Sequence, residues 1–370
     1  MSKIAIIGAS TGQYPLVQKA KDLGIETFVF AWEKGNVCKD IADHYYPISI
    51  FEKDEIAEIC NDQNIEGVIS NASDTTAVIV SYIAEKLGLN ATSYKNILSL
   101  RDKYHVRNIT KDILGLSQPR YIKYQGVNPN IYPCVVKPTE GGAKKGVSCA
   151  FNAKDFKEAI LYATEENNHI IIEEFINGQE LSVESISFHG RHFILQITEK
   201  ESSSAPHFVE LAHHLPASLP QGIEAKIRDI IPQILNAVGF TDGACHTEIK
   251  YDDNNIYLIE INPRGGGDEI SNRLVSLSSG TDYLRCMIDV ALNCFNEQII
   301  KHEGNYSGIY FLCKQTSALM PLFKDADNQS WLVEKQIYSN ILEESHSNYE
   351  RNGYLIYKSD HKITSKDINS

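Results

Sequence analysis

No two cysteines in this 370-residue chain are spaced as CxxC, and its eight cysteines are scattered from Cys38 to Cys313. That removes the common zinc-ribbon and redox spacings. Contexts such as "YPCVVKP" and "GACHTEI" suit reduced core cysteine instead. No apolar run approaches the roughly 18–20 residues of a membrane span, and "MSKIAIIGAS" starts a strand at once, with no basic, apolar and cleavable leader. There is no low-complexity tract and no internal repeat. Positive charge is in short supply: 35 Lys and Arg against 48 Asp and Glu leave a net charge of −13. This argues against nucleic acid or an anionic membrane as the main partner, while a local basic pocket for a small anion remains open. A cytoplasmic protein is expected.

The length predicts two or three domains, and 42% hydrophobic residues is ordinary for a globular chain. "KIAIIGASTGQYPLVQKAKDLGIETFVFAW" reads strand, glycine turn, helix, strand. The pattern continues through "DEIAEICNDQNIEGVISNAS" and "TTAVIVSYIAEKLGLN", so residues 1–92 are expected to form a parallel βαβ domain. Gly8 and Gly12 are suited to a tight turn; "GASTG" lacks the GxGxxG spacing, and no acidic residue marks a ribose after the second strand. A dehydrogenase is therefore not indicated. From Cys134 the order changes to strand, glycine-rich loop, helix and antiparallel strands, an α+β arrangement. Residues 301–370, with "YSGIYFLCKQ" and "NGYLIYKS", read as a small β-rich cap without a catalytic motif.

Three segments carry chemistry. In "VVKPTEGGAKKGVS", Lys137 ends an apolar strand, where a lysine normally seeks solvent. The loop after it can turn backbone N–H groups and ammonium charges toward phosphates, or be a surface turn. It is no Walker A loop, since no GK[ST] closes it. "IIIEEFINGQELSVE" is either an extended linker able to read an adenine edge and a ribose or a plain connector with surface acids. "CHTEIKYDDNNIYLIEINPRGGGD" reads as a hairpin around "DDNN". A loop of Asp253-Asn254-Asn255 brings the apolar faces together and sets Glu248 opposite Glu260 and His246 opposite Asn262. Facing carboxylates cost roughly 0.2–1 kcal/mol, so a positive charge is expected from outside the sequence. Two carboxylates and an amide oxygen are hard donors that suit Mg2+ or Mn2+. Arg264 can grip a carboxylate or phosphate with two N–H groups, or form a surface salt bridge.

In this order, Lys103 of "RDKYHVR", "VVKP", the glycine loop, "EEFINGQE", "HTEIK" and "EINPRGGG" resemble the ATP-grasp superfamily over about residues 1–300. The chain looks most like the carboxylate–amine ligase branch with the L-amino-acid (dipeptide) ligases, carbamoyl-phosphate-synthetase-like proteins being nearby. The resemblance implies a parallel-sheet domain before an ATP-grasp fold (α/β plus α+β): 1–92, then 93–300 with a nucleotide-clamping lobe at about 110–178, then the cap. It implies ATP phosphates against Lys103 and Lys137, under a loop comprising Gly141, Gly142, Lys145, Gly146 and Val147. Glu173, Glu174, Phe175 and Ile176 would meet adenine, and Glu180 the ribose. Glu248, Glu260 and Asn262 would hold magnesium, two ions by the same resemblance. Arg264 would position the substrate carboxylate and steady the transferred phosphoryl group, with Gly266 and Gly267 approaching the same substrate. "VELAHHLPASLP" adds Glu210 and His213, which resemble an amino-acid pocket, His213 taking the amine's proton or recognising its charge. Asp74 of "SNASD" is expected to reach the pocket from the first domain.

The implied reaction is carboxylate activation by ATP to an acylphosphate, followed by amide formation with an amine. Small-molecule substrates and a homodimer are expected. A carrier protein, ammonia or an alcohol is the alternative acceptor, and a silent nucleotide-binding module is the alternative function. Two positions depart from relatives. Lys144 and Lys145 stand where many have glycine or serine. Asp268 stands where some dipeptide ligases have a bulky aromatic, and is expected as a helix N-cap before "EISNRLVSL" or as a partner for a cationic amine.

Overall fold

In the computed structural model, which describes residues 1–141, 144–205, 208–253, 255–345 and 347–368, the apolar N-terminal strands pair in parallel. They are β1 (Lys3–Ile7), β2 (Glu26–Phe30), β3 (His44–Tyr46) and β4 (Gly67–Ile69), in the order β3-β2-β1-β4. Helices α1 (Tyr14–Asp22), α2 (Lys53–Asp62) and α3 (Asp74–Leu87) complete the βαβ units. Alternation divides the sheet between two cores. Ala5, Ile7, Phe28 and Phe30 pack with Ile56 and Ile83 on one side. Ile4, Ile6 and Val29 pack on the other with Leu274, Tyr283 and Met287, from the helical segment after the central hairpin.

Gly67 shows how close that second packing is. A Cβ at Gly67 would lie 2.7 Å from the carbonyl oxygen of Ala291. Gly67→Ala is expected to destabilise the chain by about 1–3 kcal/mol, the usual cost of overpacking. Urea unfolding checks this, and an unchanged midpoint would show that the two layers yield freely.

Helices α4 (Tyr94–Ser99) and α5 (Lys103–Thr110) follow, with Asp102 capping the second through Tyr104 and His105 N–H. Next come β5 (Leu116–Ser117), β6 (Tyr121–Lys123), β7 (Cys134–Pro138), β8 (Ser148–Ala150), α6 (Ala153–Glu166) and β9 (Ile170–Glu174). A small antiparallel sheet of order β6-β9-β7-β8 packs on α6 through Val136, Phe156, Ala159 and Ile172. The chain then enters β10 (Gln179–Phe188), β11 (Arg191–Ser202), β12 (Glu210–Leu215), α7 (Ile223–Ala237), β13 (Gly243–Asp252) and β14 (Asn255–Asn262). A π-helical turn, Ile270–Leu274, leads into α8 (Val275–Ser279) and α9 (Tyr283–Ala291).

Residues 301–370 do form strands, β15 (Tyr306–Leu312), β16 (Leu332–Ile337) and β17 (Gly353–Ser359), and these continue the central sheet. Among the described residues that sheet runs β16-β17-β15-β12-β11-β10-β13-β14-β5, with β15 paired to β12. The cap is thus hydrogen-bonded to the strand that carries Glu210 and His213. All eight cysteines are free thiols and all but Cys294 are buried. No helix among the described residues is long and apolar enough to cross a membrane.

Candidate active site

The hairpin of β13 and β14 places Glu248 opposite Glu260 and His246 opposite Asn262. The means differs from the expected three-residue loop. Asn255 itself pairs with Asp252, and the register slips between Glu248 and Ile249; Asn254 lies outside the described residues. This bulge at Ile259 lets Ile256 and Leu258 join the core with Ile249, while Glu260 and Asn262 stay on the face of Glu248. It also turns the Ile259 carbonyl to accept from Arg107 Nη2 at 2.9 Å.

Positive charge near the facing acids comes from the chain itself, contrary to the expectation of an outside source alone. Lys200 Nζ on β11 lies 2.9 Å from Glu248 Oε1 and 2.6 Å from Glu210 Oε1. Lys103 Nζ lies 2.9 Å from Glu260 Oε1 and donates to the Gly141 carbonyl at 3.1 Å. Burial drives the Glu248 carboxyl up, but Lys200 and His246 outweigh it and hold it well below the carboxylate range. His246 Nδ1 meets Glu184 Oε1 at 2.5 Å, and its Nε2 lies 3.3 Å from Glu248. Glu184 Oε2 also accepts the Gly266 N–H at 3.1 Å, so Gly266, expected to offer that group to a substrate, is committed to Glu184. A Cβ at Gly266 would lie 2.8 Å from His246 Nδ1, which explains the glycine there.

Lys137, next to last in β7, is 5% exposed, with its Nζ 2.7 Å from Glu173 Oε2. Glu173 also accepts from Arg107 Nε at 2.8 Å and Nη2 at 3.3 Å. The buried lysine is therefore satisfied by a carboxylate. Burial, the largest influence, lowers the Lys137 pKa. Around it a cavity of about 110 Å³ lies between the small sheet and the hairpin, lined by Lys103, Gly141, Lys145, Val147, Glu174, Phe175, Ile176 and Glu180 among others. Phe175 and Phe208 stack there at 5.9 Å, and Lys250 donates to the Ile176 carbonyl at 3.2 Å. Glu180 bonds Lys144 at 3.0 Å. Gly146 lies in the same loop but does not line this cavity; Gly142 lies outside the described residues.

A second cavity of about 680 Å³ opens between the N-terminal domain and the central sheet, taking in Asp74, Glu210, His213, Asn262, Arg264, Gly267 and Asp268. Arg264 Nε bonds Asp74 Oδ1 at 3.1 Å, which places Asp74, at the start of α3, on the wall of this cavity. The two cavities share Gly141, Lys144, Lys145, Glu248 and Glu260.

Asp268 does not cap a helix. Its backbone and that of Glu269 are left-handed, and the turn after them has no side-chain cap. The Asp268 carboxylate instead takes Arg351 bidentately, at 2.6 and 2.9 Å, and lies 3.4 Å from His213 Nε2. Asn348 donates to Glu210 Oε2 at 3.2 Å. The C-terminal segment, expected to be without chemistry, therefore walls the cavity with Asn348, Tyr349 and Arg351. Burial lowers the His213 pKa, but Asp268 and Glu210 outweigh it and raise it overall. Neither Lys200 nor Arg351 had a readable signal: alternation sets Lys200 with His192, Gln196 and Thr198, opposite Phe193, Leu195 and Ile197.

Residues 130–273 match the family model of the ATP-grasp domain. The D-alanine–D-alanine ligase of Acetivibrio thermocellus is 25% identical over 253 residues, covering 64% of this chain and 62% of that enzyme. The chain thus spans less than two thirds of that relative's length. Among solved structures, the L-amino acid ligase from Bacillus licheniformis superposes with a TM-score of 0.83 at 21% identity, over 100% of this chain and 95% of the other. The N5-carboxyaminoimidazole synthetase from Staphylococcus aureus, complexed with ADP, gives 0.76 at 16% identity, over 97% and 94%.

Proposed function

We propose that this chain, whose residues 130–273 match the ATP-grasp domain and whose fold superposes on that of an L-amino acid ligase, is an ATP-dependent carboxylate–amine ligase acting on an amino-acid carboxylate. The observation that carries the reading is the junction of the two cavities at Glu248, Glu260 and the glycine loop. A nucleotide in the smaller cavity and a carboxylate in the larger one would face the same charged groups.

In the proposed reaction a carboxylate oxygen attacks the γ-phosphorus of ATP, and the bond to the β-phosphate oxygen breaks to release ADP. The amine then attacks the acyl carbon of the acylphosphate; phosphate leaves and the amine loses its proton. Such transfers depend on positioning and charge neutralisation more than on a protein nucleophile. Lys103 and Lys137 hold phosphate oxygens, and Arg264 orients the carboxylate. Glu173 keeps Lys137 in place beside Phe175 and Ile176, which pack on adenine, and Glu180 accepts from the ribose. His213 and Glu210 recognise the amine's charge. Glu248, Glu260 and Asn262 form an oxygen donor set that fits Mg2+ or Mn2+. Such an ion supplies charge neutralisation on the phosphates. A homodimer in the cytoplasm completes the proposal; eight free thiols agree with a reducing compartment.

ADP release from MgATP with pooled L-amino acids tests the reading, with hydroxylamine added to trap the acylphosphate. An amino-acid-dependent rate with a hydroxamate product is expected. Normal ATP binding with no turnover in any pool, and turnover only with a protein acceptor, would each overturn it.

A further inference from the structure

One end of the larger cavity is built from segments distant in sequence. Strand β12 contributes Glu210 and His213, the loop after β14 contributes Asp268, and the segment before β17 contributes Asn348 and Arg351. Their charges are already matched. Asp268 and Arg351 form a two-pronged pair, with the guanidinium lying 3.6 Å from the Phe311 ring centroid. Glu210 is held by Lys200 and Asn348. His213 is fully buried, and its Nδ1 has no hydrogen-bond partner among the described residues.

Resting on the amino-acid reading above, we propose that this end selects a substrate with a neutral hydrogen-bonding side chain, a carboxamide, and that Asp268 and Arg351 determine the choice. An apolar side chain against these groups removes water from them and returns no hydrogen bond. A charged one must break the Asp268–Arg351 pair and leave one member without its counter-charge. A carboxamide does neither: its oxygen accepts from Arg351, its NH2 donates to Asp268, and the charge balance stays intact. Sites built to hydrogen-bond a substrate reject analogues lacking the group far more strongly than apolar pockets discriminate by size. Each stranded polar group is worth roughly a five- to hundredfold loss in affinity.

Two near-isosteric series test this on the full chain: L-asparagine, L-leucine and L-aspartate, and L-glutamine, L-methionine and L-glutamate. Each is titrated calorimetrically with a non-hydrolysable MgATP analogue present. In at least one series the amide is expected to bind tenfold or more tighter than both companions. Equal or tighter binding of leucine and methionine overturns the inference, as does preference for an acid or no binding by any of the six. Arg351→Met should abolish the amide's advantage and raise the affinity for L-lysine relative to L-glutamine at least tenfold, because Asp268 is then unpaired. Unchanged ratios in that variant count against the assignment; if it does not fold, the wild-type series decide alone. Amide-selective binding without ADP release would support this inference while removing the ligase reading.

Discussion

Replacing Glu173 by glutamine is expected to destabilise the chain by about 3–5 kcal/mol, the range for removing one partner from a buried ion pair. The carboxylate is 3% exposed and is shared by Arg107, itself 0% exposed, and by Lys137. Glutamine keeps the volume but leaves two buried cations facing a neutral amide. The pH dependence follows from the same geometry. Burial pushes the Glu173 carboxyl up, yet Arg107 and Lys137 outweigh it and bring it from 4.5 down to about 2. A folded pKa below the unfolded one contributes stability that is complete above about pH 4.5 and is lost as pH falls toward 2. In Glu173→Gln that part of the acid sensitivity should vanish. Urea unfolding at pH 7 and between pH 2.5 and 5 measures both effects. A loss under 1 kcal/mol at pH 7 would mean that Arg107 and Lys137 find other acceptors, the Ile259 carbonyl being the nearest for Arg107.

Glu260→Gln should act on turnover instead. Its side chain is 23% exposed and bonds Lys103 across the junction of the cavities. Losing that partly exposed pair costs little, and losing the repulsion from Glu248 returns roughly 0.2–1 kcal/mol, so the unfolding midpoint should barely move. Amino-acid-dependent ADP release should fall by about 10²–10³, the scale for removing one charge-stabilising group from a phosphoryl or acyl transfer site. The Mg2+ concentration giving half-maximal rate should rise as well. Rates within twofold of the parent, at every Mg2+ concentration, would remove Glu260 from the proposed metal set.

The hairpin explains why this chemistry was legible. Strand alternation has a period of two, so His246 and Glu248 share one face wherever the strand lies. The turn residues of "DDNN" bring Glu260 and Asn262 to meet them. The pairing survived although the expected loop did not, because the bulge at Ile259 shifted the apolar residues and left the acids facing. Asp268 was misjudged for a related reason. A residue before a helical pattern resembles a cap from sequence, and nothing local indicates that a guanidinium will claim its carboxylate.

The sequence by itself determined the parallel N-terminal sheet, the glycine loop after Lys137, and the acid–amide–arginine set of the hairpin. All three are local: they depend on periodicity and on residues within one or two adjoining elements. Only the tertiary structure decided how those groups are charged and enclosed. Lys200 and Glu248 are 48 residues apart and Arg351 and Asp268 are 83 apart. Sheet order brings them together, by setting β11 two places from β13 and by joining the C-terminal strands to β12. Burial then makes each pairing obligatory, since a charge taken out of water needs its partner at hydrogen-bond distance.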